Sequence, residues 1–514
     1  EVTAIDRMAK LTKEDIVAFA NKYLKEDNYA VIYKKQGKDP NEKKMTKPEI
    51  TPIITNRDVA SPFLVEVQES AVKPIEPVFL DYQKDMSQLK AKSDIPILYK
   101  QNVANDLFQL IYVFDMGNNH DKALGTAFDY LEYLGTSDMT PEELKSEFYR
   151  LACTFYVSPG NERTYVVLSG LNENMPAAVQ LFEKLLADAQ VNKEAYTNMT
   201  SDILKARSDA KLNQGQNFSR LMSFAMYGPK SPATNLLTEA ELTNMNPQEL
   251  VDRIHNQNSY KHRILYYGPS SSKDLLATIN QYHQVPAALK DIPAGNEYSY
   301  LETPVTKVLV APYDAKQIYM AQISNLDKKY DPAIEPIRAL YDEYFGGGMN
   351  SIVFQEMRET RGLAYSAWAS IMPPSYLKYP YVLRTQIATQ NDKMIDAVTT
   401  FNDIINNMPE SEAAFKLAKD GLTNRLRTER IIKGDIIWSY INAQDLGQNV
   451  DPRIKLYNDI QNMSLKDIVD FQKQWVKGRT YVYCILGDKK DLELDKLKAV
   501  GPIEELTQEQ IFGY

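Results

Sequence analysis

The sequence predicts an α+β chain: two homologous domains, each a mixed or antiparallel β-sheet covered by α-helices, preceded by a helix–strand tail and a linker. Two observations predict it. One design, a capped helix leading into a short strand, occurs three times, over 12–33, 246–268 and 464–487. Met245 and Met463 precede the two later copies at an offset of 218 residues, and Leu11 holds that place in the first. Independently, Met175, Ala178, Val179, Phe182, Leu185 and Leu186 match Met394, Ala397, Val398, Phe401, Ile404 and Ile405, every pair offset by 219. Helix periodicity gives one such match by chance. Two at nearly one offset indicate a duplicated unit of about 220 residues. The expected organisation is a tail of a preceding domain over 1–37, a linker over 38–79, a first full domain over 80–285, a linker over 286–304 and a last domain over 305–514.

Taken in order, Thr12 caps a helix whose apolar face is Ile16, Val17, Phe19 and Ala20, and 29–33 reads as its strand. A helix–strand unit cannot bury its apolar face alone, so it packs on the rest of the chain or belongs to a longer protein. Six prolines among lysines and glutamates make 38–78 an extended connector. Runs 95–100 and 107–116 look like an antiparallel pair, followed by helices near 124–134, 140–152, 176–187 and 193–213. Beyond a second proline-containing stretch comes strand 317–324, helix 333–345, a loop of three glycines, a helix over 351–360, strands near 365–371 and 381–389, and helices over 392–407 and 411–432.

Composition narrows the function. With 44 % hydrophobic and 25 % charged residues, this is globular material able to bury sizeable cores. A net charge of −9 argues against a nucleic-acid partner, and no apolar run reaches 18 residues, so no membrane span is expected. The opening EVTAIDRMAKLTKEDIV is no signal peptide and has no initiating Met, so a processed or truncated piece is expected. The compartment stays open for a soluble chain, with the periplasm and secretion after processing as candidates. Cys153 and Cys484 read as buried free thiols, without a disulfide framework or a CxxC site. There is no GxSxG elbow. His120, His255, His262 and His283 include no pair four apart, so neither HxxEH nor HExxH is present, and the four read as surface or structural residues rather than metal ligands.

The most informative stretch is GGGMNSIVFQEMRETRGLAY, from Gly346, Gly347 and Gly348 through Arg358 to Tyr365. A glycine loop before a helix can cradle a phosphate, but no GK[ST] follows, and a tight turn with close backbone packing is the simpler reading. The whole string closely resembles the signature of the last domain in pitrilysin/insulinase-type (M16) zinc metallopeptidases and their processing-peptidase relatives. There a Gly-rich turn leads into a helix ending in Arg, with a Tyr seven positions on.

The resemblance implies an M16/LuxS-metallopeptidase-like fold, and that this chain is the C-terminal, non-zinc half of a peptide hydrolase, holding the end of a second domain and all of the third and fourth. It implies that Arg358 and Tyr365 contact peptide and its transition state, with Gly346, Gly347 and Gly348 at the substrate side. It also implies zinc in a catalytic N-terminal half, supplied by the same polypeptide or a separate chain. The slots that would hold HxxEH are Asp129-Tyr130-Leu131-Glu132-Tyr133 and Leu340-Tyr341-Asp342-Glu343-Tyr344, with the distant ligand near Asp202, so no metal site is expected in this chain. The alternatives are an inactive homologue serving as partner or structural subunit, and a peptide-binding module outside any enzyme.

Overall fold

The computed structural model describes residues 3–34, 37, 61–70, 73–315 and 317–514. They fall into two compact units, residues 1–73 and 74–514.

In the first unit, Thr12 caps the helix Lys13–Tyr23 through a capping box with Asp15, as its sequence demands. Ile16, Val17 and Phe19 on its apolar face are nevertheless exposed. The predicted strand over 29–33 does not form among the described residues, where no strand pairs with it, and Tyr29, Val31, Ile32 and Tyr33 are exposed. Of the expected extended connector, 38–60 lies outside the described residues, and Pro62–Glu69 is helical rather than extended. Proline stands at the start of that helix, where its missing N–H is harmless.

The second unit holds two six-stranded mixed sheets. The first comprises β1 (Ser87–Lys90), β2 (Pro96–Gln101), β3 (Leu107–Phe114), β4 (Cys153–Pro159), β5 (Thr164–Leu171) and β6 (Arg263–Gly268), in the order β1-β2-β6-β3-β5-β4. The second comprises β7 (Lys307–Pro312), β8 (Gln317–Lys329), β9 (Ala364–Met372), β10 (Pro380–Gln390), β11 (Val482–Gly487) and β12 (Ile503–Glu505), in the order β12-β7-β11-β8-β10-β9. Five strands follow one plan in both. A late strand, β6 or β11, runs parallel to the first and antiparallel to the second. This corrects the expected β2–β3 pair: β6 lies between them, and its Ile264 and Leu265 pair with both neighbours. The outer strands differ. β1 pairs antiparallel with β2, whereas β12, from the far end of the chain, pairs parallel with β7.

Each sheet alternates its side chains between two cores. Ile97, Tyr99, Leu110, Tyr112, Ile264 and Tyr266 face the helices Met175–Asp188, Gln248–Asn256 and Ser272–Tyr282. Leu98, Ile111, Val113, Val167 and Leu265 face the other way, onto Ile436, Ile437 and Ile441 of the helix Asp435–Asp445. The second sheet mirrors this. Its reverse face, including Leu309, Ala321, Val482 and Cys484, is covered by Phe218, Leu221 and Ala225 of the helix Gln214–Tyr227. Each half thus lends a helix to the other's sheet. Arg163 pins the exchange, its two terminal nitrogens donating to Asp445 at 2.6 Å each and Nε to Asp115 at 2.6 Å. The stretch 286–304 is irregular but docked: Asn296 N donates to Asn119 O, Leu301 N to Met226 O, and the Tyr300 ring stacks on Tyr379 at 5.0 Å.

Candidate functional site

The glycine loop follows the helix Glu335–Phe345. Gly346 is buried against β9, and a Cβ there would lie 2.2 Å from Ala369 O, so close backbone approach dictates glycine. A Cβ on Gly347 would lie 2.8 Å from Asp342 O, whereas one on Gly348 would meet nothing within 4 Å. Both Gly346 N and Gly347 N donate to Asp342 O, ending the helix. The Asp342 carboxylate braces the same corner, accepting from Arg338 Nη1 at 2.7 Å, Ser370 Oγ at 2.9 Å and Ile371 N at 2.9 Å. Burial pushes this carboxyl up to about 6, against the opposing pull of Arg338 and the two hydrogen bonds.

The helix expected over 351–360 is one turn of α-helix, Ile352–Phe354, capped by Ser351, and then a π-helix, Gln355–Thr360. π-Turns widen the helix and often mark functional positions. Here Val353 and Met357 are buried and anchor the inner side. The outer side carries Arg358, whose guanidinium lies 4.8 Å from the Tyr365 ring centroid and 4.9 Å from that of Phe354. Its one ion pair, to Glu359, is a loose 3.6 Å. Gly362, at φ +56°, turns the chain into β9, where Tyr365 is 78 % exposed. Among the described residues its hydroxyl has no hydrogen-bond partner. The structure therefore joins Arg358 to Tyr365 as a pair of outward-facing donors. Gly346 and Gly347 serve the turn beneath them, and Gly348 is exposed at its tip.

Residues 264–422 match the family described as Peptidase M16 inactive domain. The sequence resemblance to M16 peptidases is borne out. The chain is 23 % identical over 422 residues to the non-peptidase homolog YmxG of Helicobacter pylori, covering 78 % of this chain and 93 % of that protein. In fold it is similar to the peptidase M16 inactive domain from Pseudomonas fluorescens, with a TM-score of 0.61 at 15 % identity, covering 79 % of this chain and 98 % of the other. It is also similar to the periplasmic protease PqqL from Escherichia coli, with a TM-score of 0.62 at 12 % identity. That likeness covers 93 % of this chain but 51 % of PqqL, so the chain spans about half the length of this relative.

Among the described residues no cluster of three or more His, Cys, Asp or Glu side chains could hold a metal, and this includes the segments 129–133 and 340–344. The helix Leu124–Leu131 stops before Glu132, which is exposed, while Tyr130 is buried and donates to Asn192 O at 2.6 Å. In the second domain Glu343 pairs with Arg425 at 2.5 Å and Tyr344 donates to Pro409 O at 2.7 Å. Asp202 is exposed on the helix Lys193–Lys211. No helix of the described residues is long and apolar enough to cross a membrane. One cavity of about 710 Å³ is lined by His120, Arg253, Gln257, Tyr260 and Lys290 among others and shares no residue with 346–365. Sequence spacing missed one constellation entirely: His262 and His283, 21 residues apart, meet in the core at 2.8 Å.

Proposed function

We propose that this chain is the non-catalytic half of an M16-type peptidase assembly, enclosing a peptide together with a zinc-bearing N-terminal half in the same polypeptide or a separate chain. One observation carries the reading. Arg358 and Tyr365 form an exposed, mutually stacked donor pair on a corner fixed from below by Gly346, Asp342 and a buried π-helix face. Hydrolysis of a peptide develops negative charge on the scissile carbonyl oxygen, and a phenol and a guanidinium held on rigid elements can donate to it. Arg also suits the backbone carbonyls of a bound peptide.

The shared five-strand plan supports a duplicated domain, and it also gives the tail a role. In both domains a helix, Gln248–Asn256 or Leu465–Trp475, precedes an interior strand of the sheet, β6 or β11. The exposed helix Lys13–Tyr23 and residues 29–33 have the same design without a sheet to enter. A catalytic-half domain whose sheet lacks its middle strand is the partner that fits. The second reading, an inactive partner subunit, is favoured by the likeness to a protein named a non-peptidase homolog.

The test is reconstitution with a zinc-bearing M16 half. Tyr365→Phe should lower kcat by roughly 10- to 1,000-fold with association intact, the range for losing one oxyanion donor. Arg358→Ala should impair turnover and peptide binding together. Wild-type turnover from both variants in the intact complex would leave only the partner-subunit reading.

A further inference from the structure

Three buried side chains from separate elements form a continuous chain in the first domain. Glu183, on the helix Met175–Asp188, is 1 % exposed, His283, which ends the helix Ser272–Tyr282, is fully buried, and His262, just before β6, is 7 % exposed. His283 Nδ1 lies 2.7 Å from Glu183 Oε1, the two histidine Nε2 atoms lie 2.8 Å apart, and His262 Nδ1 lies 2.7 Å from Tyr260 O. The other Glu183 oxygen accepts from Asn258 Nδ2 at 3.0 Å and Gln284 N at 2.9 Å. Among the described residues no other charged group faces His262. Its neighbours are His283, the Tyr260 carbonyl and, from β3, the rings of Tyr112 and Phe114 at 6.1 and 4.7 Å. Tyr112 also faces His283 at 4.4 Å, and burial followed by the charge of Glu183 raises its phenol well above the usual range, so it stays neutral.

The protons can be counted from this geometry. Tyr260 O only accepts, so His262 Nδ1 carries a proton. His262 Nε2 is then the lone-pair end of a neutral ring, and His283 Nε2 must donate to it. Glu183 holds two further donors on its second oxygen, which favours the carboxylate, so His283 Nδ1 donates as well. Every contact is satisfied when the two rings hold three N–H protons between them. His283 is then an imidazolium paired with Glu183 and His262 is neutral. A fourth proton sets two N–H groups head to head, and removing the third leaves two lone pairs facing.

We propose that Glu183, His283 and His262 form a latch holding one shared proton, which fixes the start of the 286–304 stretch to the first domain and releases it on acidification. The connection is covalent and local. Gln284 follows His283 and is tied to Glu183, and Lys290 returns to bond Ser259 O and bridge Tyr260, which with Lys290 lines the 710 Å³ cavity. Burial and the neighbouring His283 hold His262 down to about 3, below its ordinary 6.5. The folded protein therefore refuses a proton that the unfolded chain accepts. The stability due to neutral His262 is complete above pH 6.5 and drains away as pH falls toward 3.

The experiment is ¹⁵N NMR of histidine-labelled full chain, with amide exchange of residues 284–296 followed against pH. The expected spectrum near neutral pH has one buried imidazolium and one neutral ring protonated at Nδ1. Glu183→Gln can donate its amide to His283 Nδ1 and accept from Asn258 and Gln284, so it keeps the bonds and abolishes the imidazolium. Exchange over 284–296, corrected for intrinsic rate, should rise on acidification in the wild type. Between pH 5.5 and 4.5 the unfolding constant of the wild type should rise about tenfold more than that of His262→Asn, one proton's worth. Two neutral buried rings in the wild type, or equal pH slopes for the wild type and His262→Asn, would overturn the latch. Should Glu183→Gln fail to fold, the wild-type spectrum and pH slope decide alone.

Discussion

Segments 129–133 and 340–344, one in each half of the 74–514 unit, both follow a strand of a six-stranded mixed sheet and differ in what their side chains hold. Tyr130 and Tyr341, second in each segment, are both fully buried. One position on, Leu131 is core and Asp342 is a half-buried carboxylate gripping Arg338, Ser370 and Ile371. Next, Glu132 is free at a helix end, while Glu343 is tied to Arg425. The following segments diverge further. Arg150, just before β4, is clamped to Glu147 through two hydrogen bonds, at 2.8 and 2.5 Å. Arg358, just before β9, lies over an exposed tyrosine ring with a loose ion pair. The local carboxylate sets whether each arginine is engaged within its own helix or available to something else.

That contrast can be broken most severely at Gly346. Gly346→Val should prevent the second domain from folding, because no rotamer moves a Cβ placed 2.2 Å from a backbone oxygen, whereas Gly348→Ala should stay within about 0.5 kcal/mol in chemical denaturation. Asp342→Ala should cost about 1–3 kcal/mol by leaving Ile371 N and Ser370 Oγ without their acceptor, while Arg338 keeps Glu335. Equal stability of Asp342→Ala and wild type would show the corner to be braced by packing alone. Between the two arginines, Arg358→Ala should reduce turnover of the reconstituted complex while Arg150→Ala leaves it unchanged. A loss at Arg150 of the same size would erase the difference drawn here. The smallest effect expected is at the thiols. Cys484 is fully buried and its pKa is pushed up to about 12 by desolvation, so a thiol reagent at pH 8 should label neither cysteine until the chain is unfolded.

Much of this was legible in the sequence because it is local. The capping box at Thr12, the alternation in β10 and the apolar stripe from Met394 to Ile405 each need only their own neighbours. What escaped is non-local. Residues 29–33 have strand chemistry but no pairing strand among the described residues, and hydrogen-bond pairing, not propensity, makes a strand. β6 separates β2 from β3 although it is distant in sequence, and β1 and β12 are too short to announce themselves. The Arg358–Tyr365 pairing was readable as a spacing, but the π-helix that orients it was not, since its residues are ordinary helix formers. His262 and His283 share no periodicity, and only the fold brings their rings together.

The late arrival of β6 and β11 has a kinetic side. On a ribosome β2 and β3 emerge early, yet neither can take its final neighbour until roughly 150 further residues have been made, and β7 and β8 wait about as long for β11. Through each interval two strands carry unpaired edges flanked by apolar side chains, the state most prone to pairing with the wrong strand. The first sheet's reverse face also awaits the later helix Asp435–Asp445, whereas the helix that covers the second sheet, Gln214–Tyr227, is made before it, so the first domain cannot close its surface first. Nascent chains halted before residue 263 should therefore be the ones that chaperones hold longest.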